Sequence, residues 1–210
     1  AHNNRVINTK VHHNAVASWY GPPHGMYIAG QGNLFERVEV YNNGYYGIHI
    51  YNSGDSTVSD NIVRYSSVHD NGLQCVGVGC GGYGIIISSG SNNQLYNNLV
   101  YSNGRGGFGG GIQVAYKCLS CKIYSNTVYN NNGYGIDIDA SSTGGIVRNN
   151  ISTNNASAGI NNLASGTIIS NNMTSDRFDI YRCIKNPAVF SSSSLLILTV
   201  SFPSAHFHDV

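Results

Sequence analysis

"GIQVAYKCLSCKIYSNTVYNNNGYGIDI", residues 111–138, holds one whole unit of a repeat and the opening of the next. The opening Gly111-Ile112-Gln113-Val114 returns 24 residues later as Gly135-Ile136-Asp137-Ile138. The same pattern of glycine, apolar, variable and apolar residues stands earlier at Gly25-Met26-Tyr27-Ile28, Gly47-Ile48-His49-Ile50 and Gly84-Ile85-Ile86-Ile87. It fades at Gly159-Ile160-Asn161-Asn162. Each unit also has a second half: "LYNNLVYSN" (95–103), "IYSNTVYNN" (123–131), "VRNNISTNN" (147–155) and "ISNNM" (169–173). Within both halves apolar residues alternate with period two, which means short strands with one face inward. Glycine and asparagine between them supply the turns. No such unit can bury its apolar face alone, so units must stack and pair in parallel with their neighbours. The prediction is an all-β parallel β-helix, a solenoid of about seven coils. Each coil holds two or three short strands in roughly 22–27 residues and rises about 4.8 Å.

The repeat sets the expected domain limits. Residues 1–175 form the solenoid, and 176–210 form a C-terminal cap or divergent tail without the repeat. "VINTKVHHN" (6–14) is a second half with no opening strand before it, so the chain is expected to begin mid-coil. Asn61, Asn98, Asn126, Asn150 and Asn172 are expected to hold one place in successive coils, with Val38 and Thr9 in the earliest two. An inward asparagine at a turn can bond its amide to the next rung, giving a ladder.

Composition narrows the function. Charged residues are 10% of the 210, against a usual quarter, and the net charge is +1. That leaves no basic field to call for nucleic acid. No apolar run reaches the length of a membrane span; Leu195–Val200 is far too short. The polar opening "AHNNRVINTK" carries no leader pattern. Five cysteines fall as Cys75/Cys80, Cys118/Cys121 and a lone Cys183. Close pairs in such a chain read as local disulfides in an oxidising compartment, with a CxxC zinc site as the rival. A secreted or cell-surface protein is expected, a monomer or one part of a longer chain.

The Gly-Ile-x-Ile openings and the "NN-x-V-x-x-N" halves resemble the right-handed parallel β-helix repeat superfamily, the pectate-lyase-like group, over residues 5 to about 174. The resemblance implies a carbohydrate-active fold, and one that serves lyases, epimerases, hydrolases and adhesins alike. "YGID" at 134–137 resembles the tyrosine-glycine-aromatic-aspartate-proline-histidine motif of mannuronan C5-epimerases. That match implies functional roles for Tyr134 and Asp137. Ile138 stands where the motif has proline, and Asp139 where it has histidine.

In the opening strands the variable residue points away from the core, giving an outward column of Tyr27, His49, Ile86, Gln113, Asp137 and Asn161. The next outward column is Ala29, Tyr51, Ser88, Ala115, Asp139 and Leu163, and a third runs Gln31, Ser53, Gly90, Lys117 and Ser141. Asp137 and Asp139 lie side by side with Gln113 and Asn161 flanking Asp137, and Lys117 is diagonal to Asp139. Two carboxylates among amide oxygens suit Ca²⁺, the expected metal, held by Asp137 and Asp139. A lysine near a uronate can neutralise it or abstract a proton. The expected catalytic set is therefore Asp137, Asp139, Lys117 and Tyr134, acting on a uronate-containing polysaccharide by lyase or epimerase chemistry. Two alternatives stand beside it. Asp137 and Asp139 can be the carboxylate pair of a retaining glycoside hydrolase, or the chain is a non-catalytic glycan-binding or structural solenoid and the two are surface residues, with Asp139 paired loosely to Lys117.

Three insertions interrupt the repeat ahead of opening strands: "AVASWYGPPH" (15–24), "LQCVGVGCGGY" (73–83) and "RGGFGG" (105–110). They are expected to wall one side of a groove with Trp19, Tyr20 and Phe108, whose rings suit stacking on sugars. His24, Tyr27, His49 and Tyr51 form a second constellation on neighbouring rungs. Trp19, Tyr27, His49, Tyr51, Gln113 and Asn161 make up the expected substrate-binding set.

Overall fold

The structure, a computed structural model, describes residues 2–14, 23–52, 58–74 and 82–174. The proposed tail at 176–210, the Trp19 and Tyr20 insertion, Ser53, the Cys75/Cys80 pair and Cys183 lie outside the described residues. Those described form nineteen strands of three residues each, numbered β1 to β19 along the chain. The first sheet stacks β1 (Arg5–Ile7), β4 (Leu34–Glu36), β7 (Ile62–Arg64), β10 (Gln94–Tyr96), β13 (Lys122–Tyr124), β16 (Ile146–Arg148) and β19 (Ile168–Ser170). The second stacks β2 (Lys10–His12), β5 (Glu39–Tyr41), β8 (Ser67–His69), β11 (Leu99–Tyr101), β14 (Thr127–Tyr129) and β17 (Ile151–Thr153). The third stacks β3 (Met26–Ile28), β6 (Ile48–Ile50), β9 (Ile85–Ile87), β12 (Ile112–Val114), β15 (Ile136–Ile138) and β18 (Ile160–Asn162).

Every strand pairs in parallel with its counterpart one coil away, as in Gln113 opposite Asp137. Nineteen strands in threes make six full coils and leave β19 over, close to the seven expected. Each coil has three strands throughout. Strands of the first sheet start at 5, 34, 62, 94, 122, 146 and 168, so the early coils take 28 to 32 residues and the last two 24 and 22. Three of the four early coils carry one of the insertions, which helps lengthen them beyond the range the late ones suggest.

Alternation decides which side chains are inside. In the first two sheets the middle residue of most strands points inward, and Val40, Val68, Val100 and Val128 are fully buried. In the third sheet the flanking residues point inward, such as Ile48 and Ile50 or Ile112 and Val114. The central residue therefore faces out, as the Gly-x-variable-x pattern requires.

Corners fall five residues apart. Around one coil the chain turns at Asn92, Asn97 and Ser102, all in the left-handed region at φ 53 to 55. Asparagine tolerates that region better than most residues. The residue after each, Asn93, Asn98 and Asn103, turns its amide inward. The result is three ladders where one was expected. The first links Asn4, Asn33, Asn61 and Asn93. The second links Ser66, Asn98, Asn126, Asn150 and Asn172. The third links Asn14, Asn43, Asn71, Asn103, Asn131 and Asn155. Asn61 thus belongs to a different ladder from Asn98, and Ser66 holds the place expected for it. Because the corners share a residue type at equal spacing, a sequence alignment slips by one corner without losing its asparagines.

Within a ladder, backbone N–H and Nδ2 both donate to the next Oδ1, as from Asn98 to Asn126 at 3.0 Å each. Nδ2 of Asn98 also donates back to the Val63 carbonyl at 2.9 Å. Each buried amide is satisfied on both sides, which is the condition for tolerating it in an apolar core. The first ladder stops at Asn93. Cys121 takes the next corner, disulfide-bonded to Cys118 and buried with it. The disulfide reading holds for this pair and removes the zinc reading.

The opening glycine has a packing reason. A Cβ on Gly84 would stand 2.6 Å from Asn103 Nδ2 and 2.8 Å from Val100 Cγ1. The strand entering the third sheet therefore passes directly over the third ladder, and only glycine leaves room.

Candidate functional site

The outward side of the third sheet carries the column expected from the sequence. Tyr27, His49, Ile86, Gln113, Asp137 and Asn161 are aligned rung by rung. The column is not uniformly open. Ile86 lies outside the interior cluster yet is 1% exposed, and beside it Ser88 and Ala115 are buried. That covered middle divides the face into a carboxylate end and an aromatic end.

At the carboxylate end Asp137 is 9% exposed, so it is not a solvated surface residue. Three donors converge on it. Tyr83 Oη and Gln113 Nε2 each donate to Oδ2 at 3.0 Å, and Asn161 Nδ2 donates to Oδ1 at 2.9 Å. Gln113 and Asn161 flank Asp137 as expected. Tyr83 comes from two rungs away and was not among the expected site residues. Its burial, then the nearby Asp137 charge, push its hydroxyl well above the ordinary range, so it stays a donor.

Asp139 does something else. Its Oδ1 accepts from Ser141 N and Oγ at 3.0 and 2.7 Å and from Ser142 N and Oγ at 3.2 Å each; its Oδ2 accepts from Tyr116 N at 3.1 Å. This is an Asx-type cap on its own turn, tied to the coil before. Burial pulls the carboxyl up, but the donors from Ser141, Tyr116 and Ser142 outweigh it and hold it below the ordinary carboxylate range. The expected Asp139–Lys117 pairing is not formed: among the described residues no ion pair joins them. Lys117 is exposed, and its backbone N–H donates to Ser141 Oγ at 3.0 Å. Tyr134 is half-buried, and its carbonyl accepts from Gly111 N at 3.0 Å. It closes a rung, and Tyr83 is the tyrosine whose hydroxyl reaches Asp137.

A calcium ion needs oxygen acceptors turned toward it. Here both carboxylates already face N–H and O–H donors from their own chain. Among the described residues no group of three or more His, Cys, Asp or Glu side chains comes together. The residues as arranged do not fit Ca²⁺.

The aromatic end joins His24, Tyr27, Tyr45, Tyr46, His49 and Tyr51. His24 stacks on Tyr46 with ring centroids 5.2 Å apart and planes within 2°. His49 stacks on Tyr51 at 5.1 Å and 3°. Tyr27 meets His49 edge-on at 5.2 Å and is itself 52% exposed. The polar edges are linked as well: His49 Nδ1 lies 3.4 Å from His24 Nε2, and His49 Nε2 lies 3.0 Å from Ser88 Oγ. Among the described residues His24 Nδ1 is buried without a hydrogen-bond partner. Burial lowers His24 to a pKa of about 4. Burial, then the nearby His24, lower His49 to about 3. Both rings are neutral at pH 7. Tyr45 and Tyr46 were not foreseen, and Ser88 was placed in an outward column but not in the site. The signal for Tyr46 and Tyr83 was present in the "YGI" recurrence at 46–48 and 83–85, which places a tyrosine before the opening glycine of those two rungs, as Tyr134 stands before Gly135.

The other two faces carry rings stacked on each other along the axis. His12, Tyr41, His69, Tyr101 and Tyr129 run down the second sheet with centroids 4.7 to 5.2 Å apart. Their faces are consumed by one another, and only edges reach solvent. Tyr27 is different: His24 lies over one side of it at 5.7 Å and 28°, His49 and Tyr51 meet it edge-on, and the ring is still 52% exposed. Phe108, expected on a groove wall, is 46% exposed.

Over residues 1–174 the sequence matches a family model described as a right-handed β-helix region. The chain belongs to that family. Searches of curated proteins and of solved structures each found no match. The pectate-lyase-like reading is consistent with this membership, and the likeness to mannuronan epimerases finds no support in it. A right-handed β-helix supports a carbohydrate-active or structural solenoid in general. Among the described residues no helix is long and apolar enough to cross a membrane.

Proposed function

We propose that this right-handed β-helix binds a polysaccharide on the outward side of its third sheet, at the aromatic end, and does so without turning it over. One observation carries the reading: Tyr27 is the half-exposed ring of an ordered aromatic cluster, while both carboxylates of the face are saturated by donors of their own chain. An aromatic ring fixed before binding loses little entropy when a sugar stacks on it. A general acid or base, by contrast, must be free to meet substrate. The test is a glycan panel read both by binding and by product. Binding should fall about tenfold in Tyr27→Ala, in line with the loss of one stacked ring, and no product should appear.

A second reading keeps catalysis at Asp137, by lyase or epimerase chemistry or as the acid pair of a hydrolase with Asp139. The buried Tyr83–Asp137 hydrogen bond favours it, because a tyrosine held as a donor is placed to protonate. Lys117 and Tyr134 complete that reading's set, and Ca²⁺ enters it only if Asp137 leaves its present partners. Incubation with alginate and pectate separates the two readings: an unsaturated, ultraviolet-absorbing product means elimination, and reducing ends without it mean hydrolysis. Either product, lost in Asp137→Asn, would replace the binding reading. A secreted or cell-surface location is part of the same proposal, since polysaccharide of this kind is met there.

A further inference from the structure

We infer that the glycan taken at Tyr27, His49 and Tyr51 is uncharged, or carries its carboxylates masked as esters. This rests on the binding reading above and names its ligand class, and it departs from the uronate expected from the sequence.

Charge around the aromatic end decides the ligand class. Recognising a uronate needs a cation within reach, best a bidentate arginine. The cations of the described residues are turned elsewhere. Arg5, Arg64, Lys122 and Arg148 lie in strands of the first sheet and Lys10 in the second. Arg37 bonds Glu36 at 2.8 Å, and Arg105 bonds Asp70 at 3.0 Å. Lys117 is the one described cation on the third sheet's side. It follows β12, three rungs from Tyr27, which is about 14 Å at the spacing of paired strands. That exceeds the screening length of about 8 Å at physiological salt.

The remaining three cations, Arg177, Arg182 and Lys185, fall in the tail beyond the described residues, and the segments between described residues add none. Residues 15–22, 53–57 and 75–81 contain no lysine or arginine, and their one charged residue is Asp55. The two imidazoles do not help either. Burial keeps His24 and His49 neutral down to about pH 4 and 3, so neither greets a carboxylate with a positive charge. The carboxylates of this sheet, Asp137 and Asp139, lie four rungs from Tyr27, farther than Lys117, and bear only on an anionic chain long enough to run that far along the rungs. What remains at the aromatic end is tyrosine rings and hydroxyls beside neutral histidines, a surface suited to the hydroxyls and apolar faces of a neutral sugar.

The experiment compares matched pairs that differ in charge alone: glucan with C6-oxidised glucan, mannan with mannuronan, and methyl-esterified with de-esterified galacturonan. Binding is measured by calorimetry at low and at physiological salt. For each backbone that binds, tested as chains long enough to reach Asp137 and Asp139, the neutral or esterified member should bind more tightly by about threefold, the factor for one like-charge pair near 7 Å in water. The gap should close as salt rises, while binding of the neutral member stays flat. Ala29→Lys places a cation on an exposed position of the same sheet. It should raise binding of the charged member and leave the neutral one unchanged. Equal or tighter binding of the charged member to the parent protein, or its loss in Lys117→Ala, overturns the inference and leaves the binding face standing. No binding to any member of any pair, with Tyr27→Ala indistinguishable from parent, overturns the binding reading itself.

Discussion

Lowering the pH from 7.5 to 5 should destabilise this protein through two histidines, before its carboxylates titrate. His24 and His49 are held neutral when folded, at about pH 4 and 3, chiefly because burial strips water from the charged form. In the unfolded chain both return to a pKa of about 6.5. The unfolded state therefore binds more protons throughout the range between. Stability is full above pH 6.5 and falls as pH drops toward 4. At pH 5 the unfolded chain has taken up nearly one proton at each site and the folded chain almost none. Full linkage gives about 2 kcal/mol for each ring. Both rings keep some solvent contact, so half of that, about 2 kcal/mol for the pair, is the better figure.

For a chain of this size that is a fall in Tm of about 4–8 °C. The assay is a series of thermal melts from pH 7.5 to 5 on the parent and on the His24→Gln/His49→Gln variant. The variant starts lower, because it loses the stacks on Tyr46 and Tyr51, but its Tm should change little with pH. The slope is the readout, and it is insensitive to that offset. Ordinary carboxylates titrate near pH 4, which is why the series stops at 5. Parallel lines for parent and variant would refute the assignment of these rings as buried and neutral.

Asn103→Ala removes a ladder rung that bonds Asn131 Oδ1 at 3.0 Å and the carbonyls of Val68 and Tyr101, and that receives Asn71. Several buried groups are left unpaired, so denaturant unfolding should show a loss of about 3–5 kcal/mol, against about 0.5 kcal/mol for the exposed neighbour in Asn132→Ala. Gly84→Ala pushes a methyl into Asn103 and Val100 and should cost about 3 kcal/mol in the same measurement. The Cys118–Cys121 bridge closes a loop of only four residues, so the double variant Cys118→Ala/Cys121→Ala should lose about 2 kcal/mol from chain entropy, with the coil retained by circular dichroism.

The coil was legible because its signals are short in range and many times repeated. Gly-Ile-x-Ile fixes both the strand and its inward residues, and a second copy 24 residues on fixes the pairing partner, so the register of Gln113 on Asp137 followed directly. The ladder from Asn98 to Asn172 was legible, but Asn61 was assigned to it wrongly and the other two ladders were missed, since equivalent corners recur within a coil as well as between coils. The site was less legible for a different reason. Which residues share a column depends on the repeat alone, and that much was read correctly for Tyr27, His49, Gln113 and Asp137. Whether a column is open or roofed depends on side chains arriving from other rungs, such as Tyr83 reaching Asp137 from two rungs away. No local pattern encodes that reach. Asp139 looked like half of an acid pair because spacing shows proximity on a strand and not the turn that follows it, whose serines claim the carboxylate.

Two acids one residue apart in a nearly uncharged chain each have a structural role. A parallel stack has a weakness wherever its outward residues are polar but unpaired, because each rung is held to the next only by three-residue strands. Asp137 bonds Gln113 one rung before it, Asn161 one rung after it and Tyr83 a further rung back, and so spans four rungs with one carboxylate. An amide in its place would offer one acceptor oxygen and turn a donor toward donors. Only a carboxylate accepts on both oxygens, and hydrogen bonds to a charged acceptor are about twice as strong as neutral ones. Asp139 applies the same property to a turn, taking backbone N–H groups from Ser141, Ser142 and Tyr116. Placing both acids where donors converge satisfies their charge without a counter-cation. Lys117, the one described cation on that side, pairs with neither, so two carboxylates against one lysine leave the described face net negative, which is the physical ground for expecting its ligand to be neutral.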